Sequence, residues 1–202
     1  MREEQVRKLS KVLFDIGAIR FGHFILTSGL ESPFYVDLRI IPSYPDVFDF
    51  ITDLYIESIA DSKTEFHRIA GVPTAGIPIS ALIAYKMKKP LIYLRKETKG
   101  HGLRKLIEGV YEIGDKVIIV DDIATTGKSV LESAEKLRQE KLKVEHAFVL
   151  IDREQGAVER LKKEGITLHY YAKITDIINI LYDSKCINKE KYDEVINYLK
   201  GD

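Results

Sequence analysis

The sequence predicts an α/β protein whose mainly parallel, twisted sheet is flanked by helices. Three observations carry that expectation. Strand-like and helix-like segments alternate from residue 46 onward, which is the order of βαβ units. The strand-like runs, such as VIIV at 117–120, are apolar without alternation, as in strands buried on both faces. Two of them run into glycine- and hydroxyl-rich turns that open helices, GVPTAG at 71–76 and DDIATTGKS at 121–129. Ligands of such sheets bind where strands end at their carboxyl side.

The elements follow in order. Val6, Leu9, Val12, Leu13 and Ile16 recur at helical spacing over residues 2–16, and Gly17 is a natural stop. Residues 21–39, FGHFILTSGLESPFYVDLR, read as two strands joined by the turn SGLESP. This hairpin is either a small lid or an ordinary edge hairpin. A helix is expected over 46–61, and a strand–turn–helix unit over 67–87. PLIYLRKE at 90–97 is a strand, and 98–109 a mobile loop with two early glycines. After the unit at 117–139 come a strand in HAFVLIDRE, a helix in GAVERLKKEG and a strand in ITLHYYAKI. Thr175 is expected to cap the helix DIINILYD, and Asn188 the last helix, KEKYDEVINYLK. Tyr85, Tyr93, Tyr111, Tyr170 and Tyr171 read as packing residues.

Composition excludes several classes. The chain has 202 residues, most simply one domain. Lys plus Arg and Asp plus Glu are 31 each, so zero net charge argues against nonspecific nucleic-acid binding. The single cysteine, Cys186, forms no intrachain disulfide and suits a reducing compartment. The start MREEQVRKLS lacks an apolar signal core, and no apolar run spans a bilayer. A cytoplasmic protein without membrane partners is expected. His23, His67, His146 and His169 share no zinc-ligand spacing.

Within VIIVDDIATTGKS, the GKS at 127–129 invites a triphosphate-binding reading. That motif needs glycine five positions before Gly127, where this chain has Asp122. An acid there would repel a triphosphate. Two carboxylates at a strand end accept hydrogen bonds from vicinal sugar hydroxyls, and a hydroxyl-rich turn at a helix N-terminus holds a phosphate. The alternative is an acid pair that merely favours the helix dipole. The segment 95–105 carries Arg95, Lys96, Lys99, Arg104 and Lys105 against Glu97. Such a run is either a solvated face or a loop that stabilises an anionic leaving group. Arg153 in IDREQG is either a salt-bridge partner or an anion receptor.

VIIVDDIATTGKS resembles the signature of type I phosphoribosyltransferases, which bind phosphoribosyl pyrophosphate (PRPP). RKETKGHG resembles the catalytic loop of orotate phosphoribosyltransferases, nearest to the version in bifunctional UMP synthases. The resemblance spans roughly residues 20 to 175. It implies the type I phosphoribosyltransferase fold, with a small N-terminal hood over about 1–40 and a core over about 41–202. It implies that Asp121 and Asp122 meet the ribose, that Ala124, Thr125, Thr126, Gly127, Lys128 and Ser129 hold the 5-phosphate, and that Ile123 is a further PRPP-binding residue. Arg95, Lys96, Lys99 and His101 would bind pyrophosphate oxygens, with Lys99 stabilising the leaving group and His101 assisting. Thr74 and Ala75, with the backbone of 72–76, would complete that site. Arg153, Thr125, Thr27, Tyr35 and Val36 would receive orotate. Two departures stand out: Thr27 and Ala75 occupy positions where many members carry lysine. Magnesium is expected as cofactor, bound mainly by substrate oxygens near Asp121 and Asp122. A homodimer with shared active sites is expected. A phosphoribosyltransferase for another base and a non-catalytic ribose-phosphate regulator are the alternatives. The Asp-x-Lys-x-x-Asp array of the synthases' second activity is absent, since Phe66 and Asn188 occupy its last position. A separate orotidine 5′-phosphate (OMP) decarboxylase is therefore expected, and its association with this chain is left open.

Overall fold

The computed structural model describes residues 2–25, 29, 31–95 and 106–201. Helix α1 (Arg2–Asp15) ends where Gly17 turns to φ +73° and Ala18 N–H donates to Leu13 O at 2.9 Å. Strands β1 (Ile19–Ile25) and β2 (Glu31–Val36) form the antiparallel hairpin, in register from Ile19↔Val36 to Ile25↔Glu31 with an irregularity between Phe21 and Phe24. A 3-10 turn (Leu38–Ser43), capped by the Asp37 side chain, leads into α2 (Pro45–Asp61), which opens on proline.

The second sheet contains β3 (Arg68–Gly71), β4 (Leu91–Leu94), β5 (Ile107–Glu108), β6 (Lys116–Val120), β7 (Ile123–Ala124), β8 (Lys143–Asp152) and β9 (Thr167–Lys173). The helices between and after them are α3 (Gly76–Met87), α4 (Lys128–Gln139), α5 (Ala157–Lys163), α6 (Ile174–Asp183) and α7 (Lys189–Lys200). All pairings are parallel except β4 with β5. Strand β3 lies between β4 and β6, so the chain winds one way through α3 and the other way through α4 and α5. The direction reverses between β3 and β6, and their carboxyl ends form the crevice that such a switch point creates.

Each buried strand feeds two cores. Ile118, Val120, Phe148 and Leu150 pack with α1, α2, α3, α6, α7 and the hairpin. Val117, Ile119, Ala147 and Val149 point the other way, toward α4 and α5. This doubly covered period of two explains the unalternated apolar runs.

Four local expectations are corrected. Residues 107–108, expected in a loop, form β5 because Tyr93 and Leu94 offer an open strand edge. Helix α6 begins one residue before Thr175, which therefore does not cap it. The Glu154 carboxylate instead accepts the Thr175 N–H at 3.2 Å, reaching from the end of β8. Tyr85 and Tyr93 are 69% and 38% exposed, because α3 and β4 turn them away from the core. Asn188 does cap α7, accepting from Lys191 N–H at 2.9 Å. His146 and His169, 23 residues apart, meet across β8 and β9 with ring nitrogens 3.0 Å apart. Among the described residues no group of three or more metal-ligating side chains gathers, and no helix is long and apolar enough to cross a membrane.

Candidate functional site at the switch point

The site begins with a break in a strand. β6 ends at Val120 and resumes as β7 on the same edge of β8, with Asp121 and Asp122 in the gap. The backbone of the pair stays anchored to β8: Asp121 N–H donates to Phe148 O at 3.1 Å, and Leu150 N–H donates to Asp122 O at 3.0 Å. Each carboxylate accepts the next backbone N–H, Asp122 N at 3.0 Å and Ile123 N at 2.8 Å. From α2, the buried Tyr55 hydroxyl donates to Asp121 O at 2.7 Å. Ile123 and Ala124 are thus strand residues, and the turn proper is Thr125–Gly127.

Both acids are nearly inaccessible, at 6% and 9% exposure. Burial pushes both carboxyls above the usual aspartate range, and the charge of Asp122 adds to the rise at Asp121. At Asp122, hydrogen bonds and the more distant positive charge of Arg39 offset part of it. Tyr55 is pushed up by burial first and by the two acids second.

The turn after β3 is fastened to the same point. Val72 N–H donates to Val120 O, and Gly76 N–H to Val72 O, both at 3.0 Å. A Cβ at Gly76 would lie 2.4 Å from Val120 O, so only glycine lets α3 start this close to β6. Thr74 is exposed and Ala75 half-buried beside Gly76, and the Pro73–Thr74 peptide is cis. On the other side, Gly127 at φ +74° opens α4 without any side-chain cap. Its first-turn N–H groups, with exposed Thr126 and Ser129 and half-buried Thr125, form an anion-binding helix start. The Lys128 ammonium lies 3.8 Å from Glu132 on the helix surface.

Arg153 directly follows the last residue of β8. Its N–H donates to Ala124 O at 2.8 Å, tying it to β7. Its guanidinium carbon lies 5.0 Å from the centre of the Phe34 ring in the hairpin. The residue is only 8% exposed, and its buried Nε and Nη2 have no hydrogen-bond acceptor among the described residues. Burial lowers the guanidinium's pKa, and Tyr198 offsets part of that. Unpaired buried N–H groups on a cation are costly, and a carboxylate ligand would satisfy them.

Tyr35 of the hairpin stacks on Phe24 at 5.6 Å, carries Arg20 over its ring, and accepts a hydrogen bond from Arg39 at 3.0 Å. Asp37 grips Arg39 through two further bonds of 2.7 and 3.0 Å. Val36 is half-buried beside Tyr35. Arg95 is exposed and pairs with Glu108 of β5 at 3.2 Å. Thr27, Lys96, Lys99 and His101 lie outside the described residues. Sequence reasoning missed Phe34, Tyr55 and Arg39 as parts of this end of the sheet, and none of the three carried a local signal, whereas Gly76 was already legible within GVPTAG.

Residues 41–175 match the phosphoribosyl transferase domain family. The orotate phosphoribosyltransferase of Sulfolobus acidocaldarius is 41% identical over 189 residues, 94% of each chain. A crystal structure of orotate phosphoribosyltransferase from Aeropyrum pernix superposes with a TM-score of 0.78 at 37% identity, covering 89% of this chain and 99% of that one. UMP synthase of Leishmania donovani superposes with a TM-score of 0.88 at 35% identity; this chain covers 42% of that longer protein. With a domain match over residues 41–175 and a relative 41% identical over 94% of each chain, the chain belongs to the phosphoribosyltransferase family and, within it, to the orotate phosphoribosyltransferases.

Proposed function

We propose that this protein transfers the 5-phosphoribosyl group of PRPP to orotate, giving orotidine 5′-phosphate and pyrophosphate, as a single domain of hood and core. The observation that carries the acceptor is the buried Arg153 guanidinium, whose Nε and Nη2 lack acceptors among the described residues. A planar guanidinium receives the orotate carboxylate through two parallel bonds. Thr125, Tyr35, Val36 and Thr27 complete that pocket in this reading. Asp121 and Asp122 accept the ribose hydroxyls, and Thr125–Ser129 hold the 5-phosphate.

The N1-deprotonated form of orotate bonds through N1 to the anomeric carbon while the carbon–oxygen bond to pyrophosphate breaks, and the electron pair of that bond leaves with the diphosphate. The protein contributes positioning and charge stabilisation more than proton transfer. Arg95, Lys96, Lys99 and His101 receive the growing negative charge, with Lys99 foremost. The backbone N–H groups of 72–76, beside Thr74 and Ala75, add donors. Arg95 first leaves Glu108, an exposed pair of little cost to break.

Two buried carboxylates are a donor set that fits a hard cation, and too small a set to enclose one. Asp121 and Asp122 would therefore hold magnesium through the substrate's hydroxyls and water, and it would neutralise diphosphate charge. A homodimer sharing its sites is part of the reading, and the exposed Tyr85 and Tyr93 on neighbouring α3 and β4 support that edge as its face. A cytoplasmic location fits the single cysteine. An OMP decarboxylase would consume the product.

Steady-state turnover of orotate, uracil and purines with PRPP and magnesium tests the assignment. Orotate is expected as the preferred base. Arg153→Gln is expected to lower kcat/KM for orotate about 100-fold or more. Purine turnover without orotate turnover would refute the assignment.

A further inference from the structure

The unpaired guanidinium of Arg153 is held in place by parts of the chain that lie outside residues 41–175. Its charged carbon sits over the face of Phe34, fully buried in β2. Phe34 meets the ring of Tyr198 edge to face, with centroids 5.9 Å apart at 83°. Tyr198 belongs to the last helix, α7, which packs against β2. The backbone at Phe34 is fixed as well: the buried Ser32 hydroxyl donates to Phe34 O at 2.7 Å.

We infer that Phe34 and Tyr198 are positioning residues that seat Arg153 for the acceptor's carboxylate, so that the hood and the C-terminal helix jointly set acceptor affinity. The inference rests on the orotate reading above. The physical case is that the buried guanidinium finds no acceptor among the described residues, so none of their hydrogen bonds fixes its rotamer. The aromatic face supplies both attraction and orientation. The T-shaped partner fixes the face in turn. A seat of this kind spares the guanidinium N–H groups for a ligand, which a carboxylate side chain in the same place would consume.

Tyr198→Leu keeps apolar bulk and loses the ring edge; Tyr198→Phe keeps the ring; Phe34→Leu removes the face. Two readouts are needed. In kinetics, Tyr198→Leu and Phe34→Leu are expected to raise KM for orotate about tenfold while KM for PRPP changes less than about twofold. Tyr198→Phe should restore the wild-type value. In chemical labelling without substrate, phenylglyoxal modification of Arg153, followed by peptide mass spectrometry, is expected to speed up about tenfold in both leucine variants and not in Tyr198→Phe. Equal rises in both KM values, or unchanged labelling, would overturn the seat. A wild-type protein that ignores orotate would refute the substrate reading, and the labelling series would still decide whether Phe34 and Tyr198 hold Arg153.

Discussion

Asp121 and Asp122 are ionisable groups placed where water is scarce, and that placement has a calculable sign. Burial lifts both carboxyls above an unfolded value of about 3.9. Between that value and the raised one, the folded state binds more protons than the unfolded state. Stability therefore falls as pH rises across that window, and the loss is complete above it. Asp122→Asn is expected to raise the melting temperature by roughly 2–4 °C at pH 7, the effect of about 1 kcal/mol in a chain of this size. The same change should lower kcat/KM about 100-fold, because the ribose loses an acceptor that fixes its geometry. A melting temperature that falls would contradict the burial argument. Gly76 acts at the same scale. Gly76→Ala places a methyl group against Val120 O. It is expected to cost about 1–3 kcal/mol in a urea titration, together with activity, as α3 is pushed off the acid pair.

Among the elements, the β8–β9 pair joins a structural switch to a functional strand. His169 stacks flat on Phe148, with centroids 4.4 Å apart at 9°, and meets His146 end to end. Burial, and then His146, lower the His169 pKa from its ordinary value near 6.5. The folded state therefore holds fewer protons than the unfolded state below that value. The contribution is whole above about pH 6.5 and is lost as pH falls through the lowered folded value. Urea midpoints measured from pH 8 to pH 5 should decline on the acid side. His169→Phe keeps the stack and should flatten that decline by up to about one proton. An unchanged slope would remove the histidine pair from the account.

At the scale of the molecule, the hood and the last helix close on the sheet from opposite ends of the sequence, and both reach Arg153. The opposite flank leaves Tyr85 and Tyr93 exposed, with the Lys88 ammonium 4.1 Å from the centre of the Tyr85 ring. Large exposed aromatics are a common mark of a contact face. Sedimentation is expected to give a dimer for the wild-type protein and a shift toward monomer, with lost turnover, for Tyr93→Glu. A Tyr93→Glu protein that stays dimeric and active would move the interface elsewhere.

What the sequence by itself determined was local. Unalternated apolar runs reported strands covered on both faces, because side-chain direction alternates with a period of two and both faces are buried. The strand end with its acid pair and the turn that opens α4 were legible because their residues are contiguous, so one strand–turn–helix unit carries their whole geometry. The end of α1 at Gly17 and the cap at Asn188 were legible for the same reason. Contacts between distant residues waited for the tertiary structure. Thr175 looked like a cap until the end of β8 brought Glu154 to its N–H. His146 and His169 show no spacing motif, since strand register rather than sequence distance brings them together. Tyr198 read as an ordinary helix residue, and only the docking of α7 on the hairpin sets it behind Phe34. Chain periodicity fixes how a segment folds, while register and packing decide which segments meet. At the carboxyl ends of β6 and β8, that second step leaves a buried arginine with N–H groups for a ligand to satisfy.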